Sequence, residues 1–304
     1  MPTRRILLSL AHPDDESFGS GGMIARYVAE GAEVYLICAT NGDVGTVAPE
    51  KLDGYSSVAE LRLAELDCAS AKLGFRLVFK LGYRDSGMMH SADSQHPDCL
   101  WQAPIDEVTR RVVEVIREVR PHVVITFNKY GGYGHPDHIA IQRATTQAFH
   151  LAGDTSYETD QRPYRPQKLY YTSIPTALLR LYLVIMRLRG IDPRRVGKNK
   201  DIDFVAILDN TEPVHTQIRI GDYLQAWDEA NACHASQLGG GAPRLPMALR
   251  KLIANKQGFT RVVPAPPANR VDETDFFAGV ELEPDGWQGK AAEAAYERWT
   301  PKEQ

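Results

Sequence analysis

The sequence predicts an α/β protein in which a mostly parallel sheet is flanked by helices. Three observations lead to this prediction. Short apolar runs alternate with helical patterns through the first half, glycines follow the first helical patterns, and the composition is that of an ordinary globular protein, with 43% hydrophobic and 24% charged residues. The 304 residues also supply enough apolar side chains for a sizeable core. Strands that alternate with helices pair in parallel through right-handed crossovers.

The first half contains four predicted strands, each a short apolar run bounded by polar residues, glycine or proline. They cover residues 6–10, 34–40, 77–81 and 122–127. Four helical patterns lie between and after them, with apolar residues recurring every three or four positions. They cover residues 21–30, 57–73, 105–119 and 139–151. Gly31 and Gly74 end the first two helices, because glycine adopts the left-handed conformation of a helix C-terminus at little cost.

The second half is less regular and predicts a smaller region that closes the pocket. Residues 154–166 are polar and contain prolines, so we expect a connection there. A strand, an amphipathic helix and a further helix are predicted over residues 168–173, 176–189 and 217–233. Gly239 to Gly241 predict a mobile loop over the site, and Phe276 and Phe277 are expected to dock a short strand.

We therefore expect residues 1–153 to form the core that carries the chemistry. Residues 154–304 are expected to complete the sheet and shape the substrate pocket, and the two parts are expected to form one integrated domain.

Charge and hydropathy exclude several classes of function. The net charge of −4 gives no reason to expect nucleic-acid or anionic-membrane binding, even though residues 187–200 are basic. The most apolar stretch, residues 177–186, is too short to span a bilayer and is interrupted by Arg180. The first strand is predicted to begin almost at once, so we expect no signal peptide.

The cysteines favour the cytoplasm. They are far apart in the sequence and form no Cys-x-x-Cys pair: Cys38, Cys68, Cys99 and Cys233. Cys38 and Cys68 lie in apolar patterns and are predicted to be reduced core residues. Reduced cysteines are typical of cytoplasmic proteins.

The most informative segment is Ala-His-Pro-Asp-Asp-Glu at residues 11–16, directly after the first strand. Strands of a parallel sheet deliver the residues that follow them to the carboxyl edge, where open α/β folds bind ligands. An acidic helix start with proline in the first turn is the purely structural alternative. That alternative does not explain His12.

A second cluster, Gly-Gly-Tyr-Gly-His-Pro-Asp-His at residues 131–138, follows the predicted strand 122–127. His12 and Asp15 are three residues apart at a helix start and lie on the same side. Either His135 or His138 would supply a third ligand from the other loop, and the residue types leave this choice open. Two imidazoles, one carboxylate and an open position are typical of a catalytic zinc site, and Fe²⁺ suits the same set.

Asp14 adjoins a predicted ligand and is free to act as a general base. A carboxylate within reach of a water held by the metal is what attack on an amide requires.

The two motifs resemble those of the LmbE-like zinc deacetylases, the PIG-L family that includes the GlcNAc-phosphatidylinositol de-N-acetylases. The family motif (A/P)HPDDE stands at residues 11–16, and the motif HPDH stands at residues 135–138. The resemblance implies a Rossmann-like fold. It also implies that zinc is bound by His12, Asp15 and His138, that Asp14 is the general base, and that His135 stabilises or protonates the tetrahedral intermediate.

The similarity is closer to the branch that contains the mycothiol-type deacetylase and the mycothiol conjugate amidase. It is carried by residues 60–66, 84–88 and 131–134. It implies that Tyr133 contacts the reacting carbonyl and that Arg62 and Asp85 contact the substrate. Arg62 could instead be an ordinary surface arginine, and Asp85 could simply cap the following turn.

The element at residues 233–237, Cys-His-Ala-Ser-Gln, resembles a further element of that branch. It suggests a position near the pocket or a structural role for His234.

The resemblance implies a cytoplasmic, zinc-dependent hydrolase that removes the N-acetyl group from a GlcNAc-inositol or GlcNAc-malate conjugate. Its partner is then a small amino-sugar conjugate, with no nucleic acid and no membrane, and the sequence leaves homo-oligomer formation open. One alternative is an amidase that cleaves a larger amide of a glucosaminyl-thiol conjugate or a natural product. The other is a non-enzymatic sugar- or metal-binding protein, which a damaged motif would indicate; both motifs are intact.

Overall fold

The computed structural model describes residues 3–197, 200–238, 246–282 and 297–300. Its strands are β1 (Arg5–Leu10), β2 (Glu33–Thr40), β3 (Leu77–Tyr83), β4 (Val123–Thr126), β5 (Lys168–Thr172), β6 (Thr216–Arg219), β7 (Lys256–Val263) and β8 (Glu297–Trp299). Its helices are α1 (Asp15–Ala29), α2 (Val58–Leu73), α3 (Ile105–Val119), the single turn α4 (Gly131–Gly134), α5 (Pro136–Leu151), α6 (Thr176–Leu188), α7 (Phe204–Asp209), α8 (Leu224–Cys233) and α9 (Met247–Ile253).

The strands form one sheet in the order β6-β7-β5-β4-β1-β2-β3-β8. The five inner strands, from β5 to β3, run parallel, whereas β6, β7 and β8 pair antiparallel at the two edges. The chain steps from β1 through β2 to β3 on one side, then crosses back to add β4 on the other side of β1. The expected mostly parallel sheet flanked by helices is confirmed, and its topological switch point lies between β1 and β4.

The core lies around β1, which is covered on both faces. Ile6, Leu7 and Leu8 are fully buried, as expected for a parallel strand sandwiched between helices. Right-handed crossovers place α1 and α2 on one face and α3 and α5 on the other. On the first face α8 packs against both α1 and α2, and on the second α3 packs against α5.

Several element boundaries differ from the sequence prediction. Helix α1 begins at Asp15, six residues before the predicted start, because acidic residues favour the first turn of a helix even where no apolar period is visible. Helix α5 likewise begins at Pro136, where proline fits the first position. Residues 217–219 belong to strand β6, and the predicted helix begins only at Leu224. Strand β7 was not predicted, because its partner β5 lies far away in the sequence.

The second half of the chain extends the same sheet. Strand β5 pairs with β4, and β7 and β6 follow it to the edge. Phe276 and Phe277 are buried and contact the ring of Tyr27, so they dock as expected, but in a turn rather than a strand. The predicted loop at Gly239 to Gly241 lies outside the described residues, and the division at residue 153 remains a prediction.

The prediction that Cys68 is reduced is wrong. A disulfide joins Cys68 of α2 to Cys233 at the end of α8, with the Cα atoms 5.8 Å apart. The two cysteines are separated by 165 residues, so their spacing carried no signal of pairing. Cys38 and Cys99 are buried and free. Reduced cysteines therefore support a cytoplasmic location less strongly than expected, and that location remains a prediction.

Within the described ranges, none of the helices has the length and apolar continuity needed to cross a bilayer.

Candidate active site

The two motifs meet at the switch point of the sheet. His12 follows the last residue of β1 by two positions, and His135 and His138 flank the start of α5, after the loop that leaves β4. Because β1 and β4 are neighbouring parallel strands, their carboxyl ends open at the same edge. Residues more than 120 positions apart in the sequence are therefore brought into contact.

Three side chains bring atoms that can bind a metal close to one another. His12 Nδ1 lies 3.1 Å from His138 Nε2 and 3.4 Å from Asp15 Oδ2, and Asp15 Oδ1 lies 3.3 Å from His138 Nε2. A tetrahedral ion with bonds of about 2.0–2.1 Å has ligand atoms about 3.3 Å apart. The separations in the structure match that spacing. His12, Asp15 and His138 could therefore hold one divalent cation, with a coordination position left open.

The two imidazoles are fixed by bonds on their other nitrogens. His12 Nε2 donates to Asp137 Oδ2 at 3.1 Å, and His138 Nδ1 donates to the Gly131 carbonyl at 3.1 Å. The ring of His138 also stacks on Phe127, with centroids 3.8 Å apart. Such contacts select the tautomer that presents a lone pair to a metal.

Asp137 is a site residue that sequence reasoning missed. It is fully buried and accepts hydrogen bonds from the Ser86 backbone N–H, at 2.9 Å, and from the Ser86 hydroxyl. Its only sequence signal is its place between His135 and His138. The structure gives it the position of a carboxylate that orients a metal-binding histidine.

The site carries an excess of negative charge. Burial opposes the charge on His12, but Asp85, Asp137 and Asp15 outweigh it and raise the pKa of this imidazole well above its usual value. Burial likewise opposes the charge on Asp15, but His138 and His12 hold its pKa well below the usual value. A cluster of carboxylates around two imidazoles favours a bound cation.

Asp14 has a strained backbone. Its φ of 131° is rare for a residue with a side chain, and its N–H is held by Glu16 Oε2 at 3.0 Å. Arg62 Nη2 donates to the Asp14 carboxylate at 2.9 Å. Burial raises the pKa of Asp14 to about 7, against the opposing effect of Arg62. Asp14 could thus accept a proton near neutral pH.

Arg62 is buried rather than on the surface, so its reading as an ordinary surface arginine is excluded. Besides Asp14, it donates to the carbonyls of Gly42, at 3.0 Å, and Pro13, at 2.6 Å. Arg62 therefore fixes the loop that carries the first motif. Its contact with substrate remains a prediction.

Asp85 does cap a turn, as the structural alternative expected. Its carboxylate accepts the Gly87 N–H at 2.8 Å, and the same oxygen lies 3.6 Å from His12 Nε2. Burial would raise the pKa of Asp85, but His12 and the Gly87 N–H hold it below the usual value. Its contact with substrate also remains a prediction.

His135 and Tyr133 lie beside the three donor side chains. The ring centroid of His135 is 4.5 Å from that of His12, and the ring centroid of Tyr133 is 5.1 Å from that of His138. Burial and the neighbouring imidazoles lower the pKa of His135, so it is neutral in the absence of further charge. Burial raises the pKa of Tyr133, so its hydroxyl keeps its proton and can donate a hydrogen bond.

Gly131 allows the second motif to approach. Its φ is 67°, and a Cβ atom there would lie 2.9 Å from His138 Cβ and 3.0 Å from the Ile139 nitrogen. Any larger residue would displace the histidine.

His234 lines neither of the two cavities around the site but contacts a residue of the first motif. Its Nε2 lies 2.7 Å from Glu16 Oε1, and both side chains are fully buried. Ser236 donates from its N–H and hydroxyl to Glu65 of α2, at 2.7 and 2.6 Å. The His234–Glu16 contact ties the end of α8 to the first motif, and the bonds from Ser236 tie the following residues to α2. Glu16 was part of the predicted motif, but its partner was not predictable.

Two adjoining cavities surround these residues. The central cavity has a volume of about 690 Å³, and its lining residues include Asp14, Asp15, Phe18, Tyr133 and His138. The polar arm has a volume of about 410 Å³, and Val44, Met88 and Ile202 form part of its wall. Most of its lining side chains are charged or polar, among them His12, Arg62, Asp85, Ser91, Asp93 and His135. Asp14 and Tyr133 line both cavities.

Several known proteins are similar to this chain in sequence or in fold. A family model described as "PIG-L: GlcNAc-PI de-N-acetylase" matches residues 7–149. A 1D-myo-inositol 2-acetamido-2-deoxy-alpha-D-glucopyranoside deacetylase of Thermobispora bispora is 36% identical over 305 residues, covering 92% of this chain and 100% of the relative. A protein with the same description from Streptomyces griseus is 35% identical over 308 residues, covering 97% and 95%.

Two solved structures share the fold at low identity. An N,N'-diacetylchitobiose deacetylase from Pyrococcus horikoshii has a TM-score of 0.59 at 18% identity, covering 88% of each chain. A conserved protein from Thermus thermophilus has a TM-score of 0.55 at 21% identity, covering 90% of this chain and 97% of that one.

Proposed function

Because this chain belongs to the PIG-L family of de-N-acetylases, we propose that it is a zinc-dependent hydrolase that removes the N-acetyl group from an N-acetylglucosaminyl conjugate. The products are acetate and a free amino sugar. The curated relatives are described as deacetylases of a GlcNAc-inositol, and they match this chain over nearly its whole length. We therefore favour a GlcNAc-inositol or GlcNAc-malate conjugate as the substrate.

The observation that carries the proposal is the arrangement of donor atoms at the switch point. His12 Nδ1, His138 Nε2 and the Asp15 carboxylate are mutually 3.1–3.4 Å apart, and the carboxylate of Asp14 lies in the same cavity. His12, Asp15 and His138 would hold the ion. When bound, zinc would polarise the amide carbonyl and lower the pKa of water, and Fe²⁺ can supply the same chemistry from this ligand set.

We assign the proton transfer from water to Asp14. A general base is most effective when its pKa is close to the working pH, and burial raises the pKa of Asp14 to about 7. The Arg62 guanidinium, 2.9 Å away, keeps the carboxylate aimed into the cavity.

Tyr133 and His135 would hold the carbonyl oxygen as it gains negative charge. Each donor of this kind typically contributes about 2–4 kcal/mol to lowering the barrier. The leaving amine would then receive a proton from the protonated Asp14, or from His135 if the negative charge of the intermediate brings that imidazole into its protonated form. The amino sugar would lie toward the polar arm, where Arg62 and Asp85 could bind its hydroxyls.

The test combines metal analysis with acetate release from GlcNAc-inositol. We expect the wild type to carry one metal ion and release acetate. Asp14→Asn should keep the metal and lose about 10²–10⁴-fold in kcat, whereas His138→Ala should lose the metal itself. His96→Ala is the control, because His96 is partly exposed and lies in a loop outside both cavities.

Two results would contradict the proposal. The base assignment fails if Asp14→Asn turns over at the wild-type rate. The deacetylase function fails if the metal-loaded wild type releases no acetate from any N-acetylglucosaminyl conjugate.

A further inference from the structure

A third cavity opens beside the catalytic centre, and it is apolar. Its volume is about 630 Å³, and every residue that lines it is aliphatic or aromatic or is a proline. They come from the turn α4, the loop after β5, helices α6 and α7 and the loop between these helices. The rings of Tyr182 and Phe204 contact each other across it, with centroids 5.6 Å apart. We call this cavity the apolar arm. Its size is in the range of sites that bind small molecules.

The apolar arm joins the central cavity. Tyr133, Ile174 and Ile202 line both. Tyr133 and Ile202 also line the polar arm. Tyr133, one of the two residues that would hold the reacting carbonyl, therefore lines both arms. The polar arm contains charged side chains, whereas the apolar arm is lined by none.

An amide substrate has two sides that match these arms. The amine side of an N-acyl amino sugar carries hydroxyls, which would be left without hydrogen bonds among aliphatic side chains. The acyl side begins at the carbonyl carbon itself and carries only hydrogen and carbon. An acetyl methyl group would leave the apolar arm empty, whereas a longer chain could enter it past Tyr133.

We propose that the apolar arm is an acyl-chain site, and that the enzyme hydrolyses N-acyl amino sugars whose acyl group is longer than acetyl. This inference rests on the proposed function and extends it to a substrate class. The reaction is the same amide hydrolysis: water adds its oxygen to the acyl carbon, the C–N bond breaks, and the amine leaves with a proton. The products are a short-chain carboxylate and the free amino sugar.

The experiment measures kcat/KM for a glucosamine conjugate acylated with acetyl, butanoyl or hexanoyl groups on one constant aglycone. Full burial of a methylene group is worth up to about a fourfold gain. Because the arm is partly open, we expect about a twofold rise per added methylene, or roughly 16-fold over the four methylenes between acetyl and hexanoyl. A parallel series keeps the acetyl group and lengthens an alkyl aglycone instead.

Two substitutions in the same helix provide a matched pair. Leu181 lines the apolar arm and is 57% exposed, whereas Leu188 does not line it and is 82% exposed. Each can be changed to serine at a small cost in helix propensity, which is smaller for Leu188 because it is the last residue of α6. We expect Leu181→Ser to lower the hexanoyl-to-acetyl ratio of kcat/KM by about threefold or more, and Leu188→Ser to leave the ratio unchanged. The ratio is independent of any general loss of active protein.

The outcomes separate the two proposals. A kcat/KM that is flat or falls with acyl length overturns the acyl-chain site, even if acetate is released and the deacetylase function stands. A rise only with aglycone length overturns it too, because the arm would then serve the sugar side.

If no amide is hydrolysed, thermal shift with acetate and hexanoate decides the question. Stronger stabilisation by hexanoate, reduced in Leu181→Ser, supports the acyl-chain site although the deacetylase function has failed. Equal stabilisation by the two carboxylates overturns it.

Discussion

Removal of the Asp137 carboxylate should weaken metal binding without removing a metal ligand. This carboxylate accepts a hydrogen bond from His12 Nε2 at 3.1 Å and is itself held by two bonds from Ser86. It fixes the ring so that Nδ1 faces Asp15 and His138. Loss of such a partner typically costs 10–100-fold in metal affinity, or about 1.4–2.7 kcal/mol.

Two variants divide this effect into charge and geometry. In Asp137→Asn the amide oxygen can still accept from His12 Nε2 and the Ser86 N–H, and the Ser86 hydroxyl can turn to accept from the new NH₂ group. The charge and the bond donated by the Ser86 hydroxyl are lost, but the His12 ring keeps its acceptor, so we expect affinity to fall about tenfold. In Asp137→Ala the His12 ring is free to rotate and the Ser86 groups lose their partner, so the loss should approach about 100-fold.

Competition with a chromogenic zinc chelator measures the dissociation constant of each variant. Asp98→Asn is the control, because Asp98 is largely exposed. Thermal unfolding in excess chelator shows whether each variant remains folded without metal. Wild-type affinity in a folded Asp137→Ala protein would refute the orienting role of this carboxylate.

Three further predictions concern backbone, pH and metal. Gly131→Ala should abolish metal binding, because the new Cβ atom would collide with His138. Gly190→Ala is the control: Gly190 has a similar φ of 70° and no atom within 4 Å of the added Cβ, so this variant should lower only stability. Equal metal affinity in the two variants would contradict this prediction. Burial opposes the charged form of His234, but Glu16 outweighs burial and raises the pKa of this imidazole above 6.5. The His234–Glu16 pair therefore stabilises the fold fully at a pH below the pKa of His234 in the unfolded chain. This stabilisation is lost as the pH rises through the pKa of His234 in the folded protein. Urea unfolding with chelator should therefore show that His234→Gln costs more at about pH 6 than at about pH 9, and a difference that grows with pH would reverse the sign. Chelation of the metal should lower Tm, since an ion present at 100 times its Kd stabilises the folded state by about 2.7 kcal/mol; an unchanged Tm on chelation and on zinc addition would exclude a site in the folded protein.

The sequence was most informative where a short motif directly follows a strand. His12 and Asp15 could be assigned to one side of a helix start because that relation is local. The strands and helices around both motifs were predicted for the same reason: each shows its own apolar period. The choice between His135 and His138 could not be made from the residues, since both lie in one turn.

Other contacts between distant parts of the chain could not be predicted. The Cys68–Cys233 disulfide, the Glu16–His234 pair and the bond from His12 to Asp137 all join residues that are far apart in the sequence. Strand β7 was not predicted, because its partner β5 also lies far away in the sequence. The burial of Arg62 could not be predicted either. Its position in a helical pattern does not reveal that its guanidinium donates to the carbonyls of Pro13 and Gly42, which lie outside that helix.

The backbone of Asp14 implies a trade-off between stability and activity. A residue held at a φ of 131° lowers the stability of its own fold, and only glycine would occupy that conformation freely. Glycine at this position would relieve the strain but would also leave the buried Arg62 guanidinium without the Asp14 carboxylate. Asp14→Gly would therefore raise thermal stability only if the relief of strain exceeds the loss of this ion pair. If Asp14 is the base proposed above, its backbone is a cost in stability that accompanies turnover.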